Sequence, residues 1–388
     1  MDGTRGPGTA PQILRSLLAL LHAPGFGPTA YFRLRAAGVD PVALVGRRPD
    51  PELGLPSPLA GALAAPDWAA VDLDLAWLAP PGRHLIPHDD PRYPPLLADL
   101  PGRPVALFVE GDPGVLSAAQ VAVVGSRNPT DGGRRTARAV ARELAAAGLC
   151  VTSGLASGID GEAHDGALSA GGATVAVLGT GPDRVYPARH RDLARRVAAG
   201  GALVSEFPPG TPPLPSNFPR RNRIVSGLSL GVVVVEASLK SGSLITARLA
   251  ADQGREVFAV PGSIHNPLAR GCHALIREGA TLAEGAGDVL AQLCPLLGHL
   301  ATPPASNAPG AAAVAPHHGL LAHMGFDAVS VDQLVERTGL PAAEVASLLV
   351  LLELDGCVSC EPGGRYSRLG GPADAPSAAS PNGPRSAQ

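Results

Sequence analysis

Lysine is almost missing from this chain. Lys240 is the single lysine among 31 basic residues, and with 48 glycines and 41 prolines that usage resembles the coding bias of a GC-rich genome. Under such a bias an arginine says little by itself. Charge of both signs is also thin, at 17% of 388 residues with a formal net charge of -3. No global basic surface exists, so any nucleic-acid contact must come from a local patch. The five cysteines, Cys150, Cys272, Cys294, Cys357 and Cys360, are odd in number and scattered. They exclude a disulfide framework and point to the cytoplasm. Leu17 to Leu21 is too short an apolar run to span a bilayer, and it sits behind Met-Asp-Gly-Thr rather than a cleavable signal layout. No membrane or export route is expected.

Motifs of nucleotide chemistry are missing as well. There is no Walker A string, and Gly125-Ser-Arg-Asn-Pro-Thr-Asp-Gly-Gly133 does not fit Gly-x-Gly-x-x-Gly. His190-Arg-Asp-Leu193 imitates a kinase catalytic loop, but Val197 stands where the metal-binding Asn belongs and no Asp-Phe-Gly follows. Cys357-Val-Ser-Cys360 has neither a second pair nor a His at zinc-site spacing. Ser153, Ser157, Asp160 and His164 invite a hydrolytic reading, yet the Gly-x-Ser-x-Gly spacing is absent and Asp160 is better placed as the N-cap of the helix that follows. No catalytic residue, metal ligand or cofactor is expected.

What is present is a repeated phrase between Val121 and Leu290: a β-branched run, a small polar loop, then a helical segment. The runs are Val121–Val124, Leu149–Ser153, Thr174–Leu178, Ala202–Ser205, Val232–Val235 and Val257–Val260. Strands apolar on both faces that alternate with helices predict an α/β fold, a parallel sheet covered on both sides. Ligands bind beyond the carboxyl ends of such strands, so all six polar loops are expected to line one cleft. Before this core, residues 1–10 read as a disordered tail and 11–75 as a helical module, two helices joined at Pro24-Gly-Phe-Gly-Pro28 in the manner of a helix-hairpin-helix or SAM-like unit. Stretches 48–58 and 80–95 read as connectors, and 93–111 as an arm carrying one extra strand. The core spans 76–300. Residues 301–317 read as a Pro/Ala linker, 318–369 as a winged helix, and 370–388 as a disordered tail. The recognition helix, Ala342 to Glu353, has no basic residue, which favours protein docking or packing over DNA reading.

Anion and base recognition is the chemistry left. Gly125-Ser126, Gly179-Thr-Gly181 and Ser241-Gly242-Ser243 place small residues at strand ends or helix starts, where free N–H groups attract phosphate. Arg127 and Lys240 add charge to two of these loops. The run Asn217-Phe-Pro-Arg-Arg-Asn-Arg223 sets an aromatic ring beside three guanidiniums. Stacking accepts any base while cations follow the backbone, which is how single strands are held. The plainer alternative is a surface loop whose arginines are tied up in ion pairs.

These residues resemble the DNA-processing protein A family, DprA, also called Smf. The matching strings are Val-Gly125-Ser126-Arg127, Ser153-Gly154-Leu-Ala-Ser-Gly158-Ile-Asp160 with His164, Gly179-Thr-Gly181-Pro-Asp183 with Tyr186-Pro187, and Ser205-Glu206. They continue with Asn217-Phe218-Pro-Arg220-Arg221-Asn222-Arg223-Ile224, Glu236-Ala237 with Ser241-Gly242-Ser243-Leu-Ile-Thr246, Val-Pro-Gly262, and Gly271-Cys-His-Ala-Leu-Ile276. The resemblance implies a Rossmann-like core that dimerises, binds and protects incoming single-stranded DNA during natural transformation, loads RecA recombinase, and performs no catalytic turnover. It places Arg127, Phe218, Arg220, Arg223 and Lys240 in the DNA pocket. One departure stands out: the family often has a basic residue three positions before the Phe, and here that position is Pro215. The contact is lost or supplied by Arg221. The alternative reading is a nucleotide 5'-monophosphate phosphoribohydrolase of the Lonely Guy group, which shares this kind of sheet; its Pro-Gly-Gly-x-Gly-Thr-x-x-Glu loop is replaced here by Glu236 to Ser243.

Overall fold

The computed structural model describes residues 10–297, 316–325, 327–354, 357–361 and 363–369. The expected tails lie outside these, except that Ala10 already opens the first helix; of the expected linker 301–317 only Pro316 and His317 are described. The chain forms two compact units, 1–303 and 304–388.

The first unit opens with α1 (Ala10–His22), α2 (Pro28–Ala36), α3 (Ser57–Ala64) and α4 (Trp68–Leu78). Helix α4 runs through the boundary expected at residue 75, because Asp67 caps it and Val71, Asp74 and Trp77 are buried one turn apart. β1 (Arg83–Pro87), α5 (Pro95–Ala98) and β2 (Ala106–Gly111) follow. The stretch expected to be a connector thus holds a strand, β1, while the arm contributes the one expected there, β2; the two pair antiparallel from Arg83↔Glu110 to Pro87↔Ala106. Leu17, Leu18, Tyr31 and Trp77 pack on Leu85 and Phe108, so the helical module shares a core with the sheet edge.

The repeated phrase then appears as β3 (Gln120–Gly125), α6 (Asp131–Ala146), β4 (Cys150–Ser153), α7 (Ile159–Ser169), β5 (Thr174–Val177), α8 (Arg191–Gly200) and β6 (Gly201–Ser205). It continues through α9 (Asn217–Gly227), β7 (Gly231–Val235), α10 (Gly242–Asp252), β8 (Glu256–Ala259), α11 (Arg270–Arg277), β9 (Thr281–Leu282) and α12 (Ala286–Leu297). The nine strands are ordered β1-β2-β6-β5-β4-β3-β7-β8-β9, parallel from β6 to β9 with the arm antiparallel at one edge. Alternation along a strand sends Val121 and Val123 to one face, against α6, α7 and α12, and Ala122 and Val124 to the other, against α9, α10 and α11. From β3 the chain winds outward through β4, β5 and β6, then returns to β7 on the opposite side of β3. The crevice between the carboxyl ends of β3 and β7 is therefore the switch point where such sheets bind ligands.

The second unit has β10 (Val329–Ser330), α13 (Val331–Thr338), α14 (Ala342–Leu354), β11 (Val358–Glu361) and β12 (Arg365–Arg368), with sheet order β10-β12-β11. Ser330 and Gln333 close a capping box at the start of α13. Leu334, Val345, Leu349 and Leu352 form its core, while Val350 and Leu354 of α14 are 51% and 79% exposed. It is a winged helix. No helix among the described residues is long and apolar enough to cross a membrane.

Candidate nucleic-acid interface

A cleft of about 730 Å³ opens at the switch point. Its walls are the β3 loop (Gly125, Ser126, Arg127), the β4 loop (Gly154, Ala156, Asp160), the first two turns of α9, and the start of α10 (Ser241, Gly242, Ser243, Thr246). Not all six polar loops reach it. The glycine end of the β5 loop is tied to the loop after β6: the Gly181 N–H is taken by the Thr211 carbonyl, and Asp183 accepts the Gly210 N–H at 2.7 Å. Gly179 lies beneath the Phe218 ring, where a Cβ would stand 2.9 Å from a ring carbon. This loop is a seat for Phe218 rather than a phosphate cradle. Gly262, after β8, hydrogen-bonds His273 and stays outside the cleft.

The decisive local fact is that residues 217–227 are a helix. At 3.6 residues per turn, Phe218, Arg221, Asn222 and Val225 share one face and Arg220 and Arg223 another. The first set lines the cleft; the second does not. The Arg223 guanidinium makes a short contact with the buried Glu206 carboxylate, and Arg220 lies 3.9 Å from the same side chain and over the Phe207 ring. Arg220 and Arg223 thus lie off the lining of this cleft. Lys240 is exposed and likewise off the cleft lining.

Arg221 reaches the cleft floor but is buried, donating to the Val177 carbonyl at 2.6 Å. Burial lowers its pKa to about 10 against the opposing pull of Asp160. Gly154 makes the room, since a Cβ there would stand 1.9 Å from Arg221 Nη1. Arg221 thus lies buried on the cleft floor, whereas Pro215 is exposed on its wall. Asp160 is not an N-cap: Gly158, at φ 79°, holds that place. Asp160 sits inside the first turn of α7, and its carboxylate accepts the N–H groups of Gly154 and Ala156 at 3.1 and 3.3 Å. Burial raises its pKa while Arg221 and these N–H groups oppose the rise. The α7 terminus is therefore already countercharged. Helix α10 has no acid in its first turn and starts on the cleft wall, with Ser241 accepting from Ser243 N–H, so its positive end is free for an anion.

Above this floor three side chains meet. The Arg127 guanidinium lies 5.6 Å from the centre of the Phe218 ring, and Tyr186 meets that ring at 5.6 Å with the planes tilted by 50°. Tyr186, which the resemblance does not place in the DNA pocket, is 49% exposed and forms a wall of the cleft. The signal available was an aromatic in a chain with only 3% of them. Its neighbour Pro187 follows a cis bond.

The remaining residues hold the loops. Ser153 donates to the Val123 carbonyl, and Ser205 to that of Thr180. His164 is fully buried, with Nδ1 2.7 Å from the Thr174 hydroxyl and its pKa pushed down to about 3 by burial. Ser153 and His164 are thus both buried, each with a side-chain contact to the sheet. Glu236 binds Thr130 and Asn266, bracketing the start of α6. Among the cleft-lining residues the charges are Arg127, Arg221 and Asp160.

Comparison with known proteins decides the family. The model of the DNA recombination-mediator protein A family matches residues 84–294, and that of the DprA winged helix domain matches 302–364. The chain belongs to the DNA recombination-mediator protein A family. Protein Smf of Escherichia coli is 49% identical over 304 residues, covering 77% of this chain and 81% of that protein. The DNA processing protein DprA of Streptococcus pneumoniae is 46% identical over 203 residues, 52% of this chain and 72% of that one. Its X-ray structure superposes with a TM-score of 0.64 at 35% identity, covering 72% of this chain and 97% of that chain. In this family member the switch-point cleft keeps the aromatic and arginine of the β3 loop and α9 in mutual contact.

Proposed function

We propose that the protein binds single-stranded DNA in the switch-point cleft, protects it, and delivers it to the RecA recombinase during natural transformation, in the cytoplasm, as a homodimer built on the Rossmann-like core. The observation that carries this reading is the contact of Arg127, Phe218 and Tyr186 above the free start of α10. An unpaired base has a ring face to stack on, and its phosphate has a helix terminus and a guanidinium. A base inside a duplex has no free face to offer. The names of the relatives, a recombination mediator and DNA processing proteins, support the same polymer.

The protein acts by binding, without turnover, metal or nucleotide. The groups that invited a hydrolytic reading are held by the fold: Asp160 accepts backbone N–H groups, Ser153 donates to the Val123 carbonyl and His164 Nδ1 meets the Thr174 hydroxyl. The test is a titration of single-stranded against duplex DNA of matched length over a range of salt, in EDTA. Preference for the single strand is expected, and Phe218→Ala should lose about 1–3 kcal/mol, roughly 5- to 150-fold in affinity. Equal affinity for both forms, or release of adenine from AMP, would replace this reading.

A further inference from the structure

The cleft holds few cations for a site that must retain a polyanion, two arginines against one carboxylate among its lining residues. A second groove, of about 470 Å³, begins where the cleft ends. Tyr186 and Pro213 line both, so the two share a wall. The groove runs between the loop after β5, helix α8 and the edge pair β1–β2. Its floor is apolar, with Val185, Ala194 and Leu203, and its rim carries Arg83, Arg184, Arg191 and Arg195 with the carboxylates of Glu110 and Asp183.

Three of these rim cations have partners. Arg83 is 3.6 Å from Glu110, Arg184 is 3.5 Å from Asp183, and Arg195 is 3.1 Å from Asp192. Arg191 is exposed, and no carboxylate among the described residues comes within ion-pair distance of it. The Asp183 carboxylate is shared with the Gly210 N–H, which leaves Arg184 loosely held. Surface pairs of this kind are worth little, so a phosphate can compete for them.

We propose that this groove is a second subsite for the same DNA strand: the strand leaves the Phe218 platform over Tyr186, lays its next bases on the apolar floor, and sets its phosphates against Arg191 and Arg184. The proposal rests on the single-strand reading of the cleft. An apolar floor with a cationic rim suits a sugar-phosphate chain whose bases face inward. The arrangement also accounts for the scarcity of charge in the cleft itself.

Arg191 is exposed at the start of α8, so Arg191→Ala should fold as the parent. The test compares the full chain, Arg191→Ala, Arg191→Glu and Phe218→Ala on oligonucleotides of about 4 and about 16 nucleotides, the span of site sizes for sequence-tolerant single-strand binding. On the long strand Arg191→Ala should make the slope of log K against log salt shallower by about 0.7, one phosphate contact, with Arg191→Glu weaker still. On the short strand both should match the parent, whereas Phe218→Ala should lose binding to both lengths. If Arg191→Ala and Arg191→Glu match the parent on the long strand while Phe218→Ala still loses, the second subsite is wrong and the cleft stands. Equal losses on both lengths overturn it too, since Arg191 would then serve the cleft. If Phe218→Ala binds both lengths as the parent does, the cleft reading fails, and the subsite with it.

Discussion

At the scale of single residues, the sharpest difference between sequence and structure is at His164. In the sequence it is a candidate base; in the fold it is a neutral ring sealed in the core, with burial holding its pKa near 3 against 6.5 for an exposed imidazole. Below pH 6.5 the unfolded chain therefore binds a proton that the folded chain refuses. Stability should fall as pH drops, by up to about 1.4 kcal/mol per unit. The raised carboxyl of Asp160 acts in the opposite sense, so the clean measurement is the difference between the parent and His164→Asn in melting temperature from pH 7 to pH 5. The variant should show the flatter profile; identical profiles would place the titration elsewhere. Pro215 makes a second case. It is exposed on the cleft wall, at the position where the resemblance implies a cation. Pro215→Lys should steepen the salt slope for single-stranded DNA by about 0.7 and Pro215→Ala should leave it alone. Equal slopes for the two variants would mean that no phosphate passes residue 215.

At the scale of elements, α9 shows why a motif read as a string misleads. Seven consecutive residues looked like one basic and aromatic patch, but a helix divides them between two faces, and only one of those meets the cleft. The glycines beneath that helix are then part of the site although they touch no ligand. Gly179 gives Phe218 its seat. Gly179→Ala should push the ring out of place and weaken binding toward the level of Phe218→Ala while the salt slope stays that of the parent, because no charge has moved. A variant that instead changes the slope and spares affinity would show that the ring is not what Gly179 supports.

At the scale of the whole molecule, the two units differ in what they offer a nucleic acid. The cleft is built wholly from residues of the first unit. The winged helix offers an α14 with no basic residue, and its arginines Arg365 and Arg368 donate to the backbone carbonyls of Ala328 and Leu321. A chain ending at residue 303 should therefore bind single-stranded DNA with the parent's affinity and salt slope, as a filter-binding titration would report. A large loss would assign the winged helix a share of the strand and would contradict the protein-docking role its apolar helix suggests.

Unbroken apolar runs such as Val232 to Val235 specified the parallel strands and the loops that follow them, because burial on both faces demands such runs, and the order helix, turn, helix, hairpin specified the winged helix. Neither could specify strand order, and with it the switch point, because that depends on which side of β3 the chain returns to. The strand β1 was missed because its neighbours are turn-forming residues and its pairing to β2 is not local. The fate of the three arginines of α9 was equally a tertiary matter. A guanidinium goes to whichever partner the packed helix presents: the Val177 carbonyl for Arg221, the Glu206 carboxylate for Arg223. Both partners lie far off in the chain, and only the closed sheet brings them within reach.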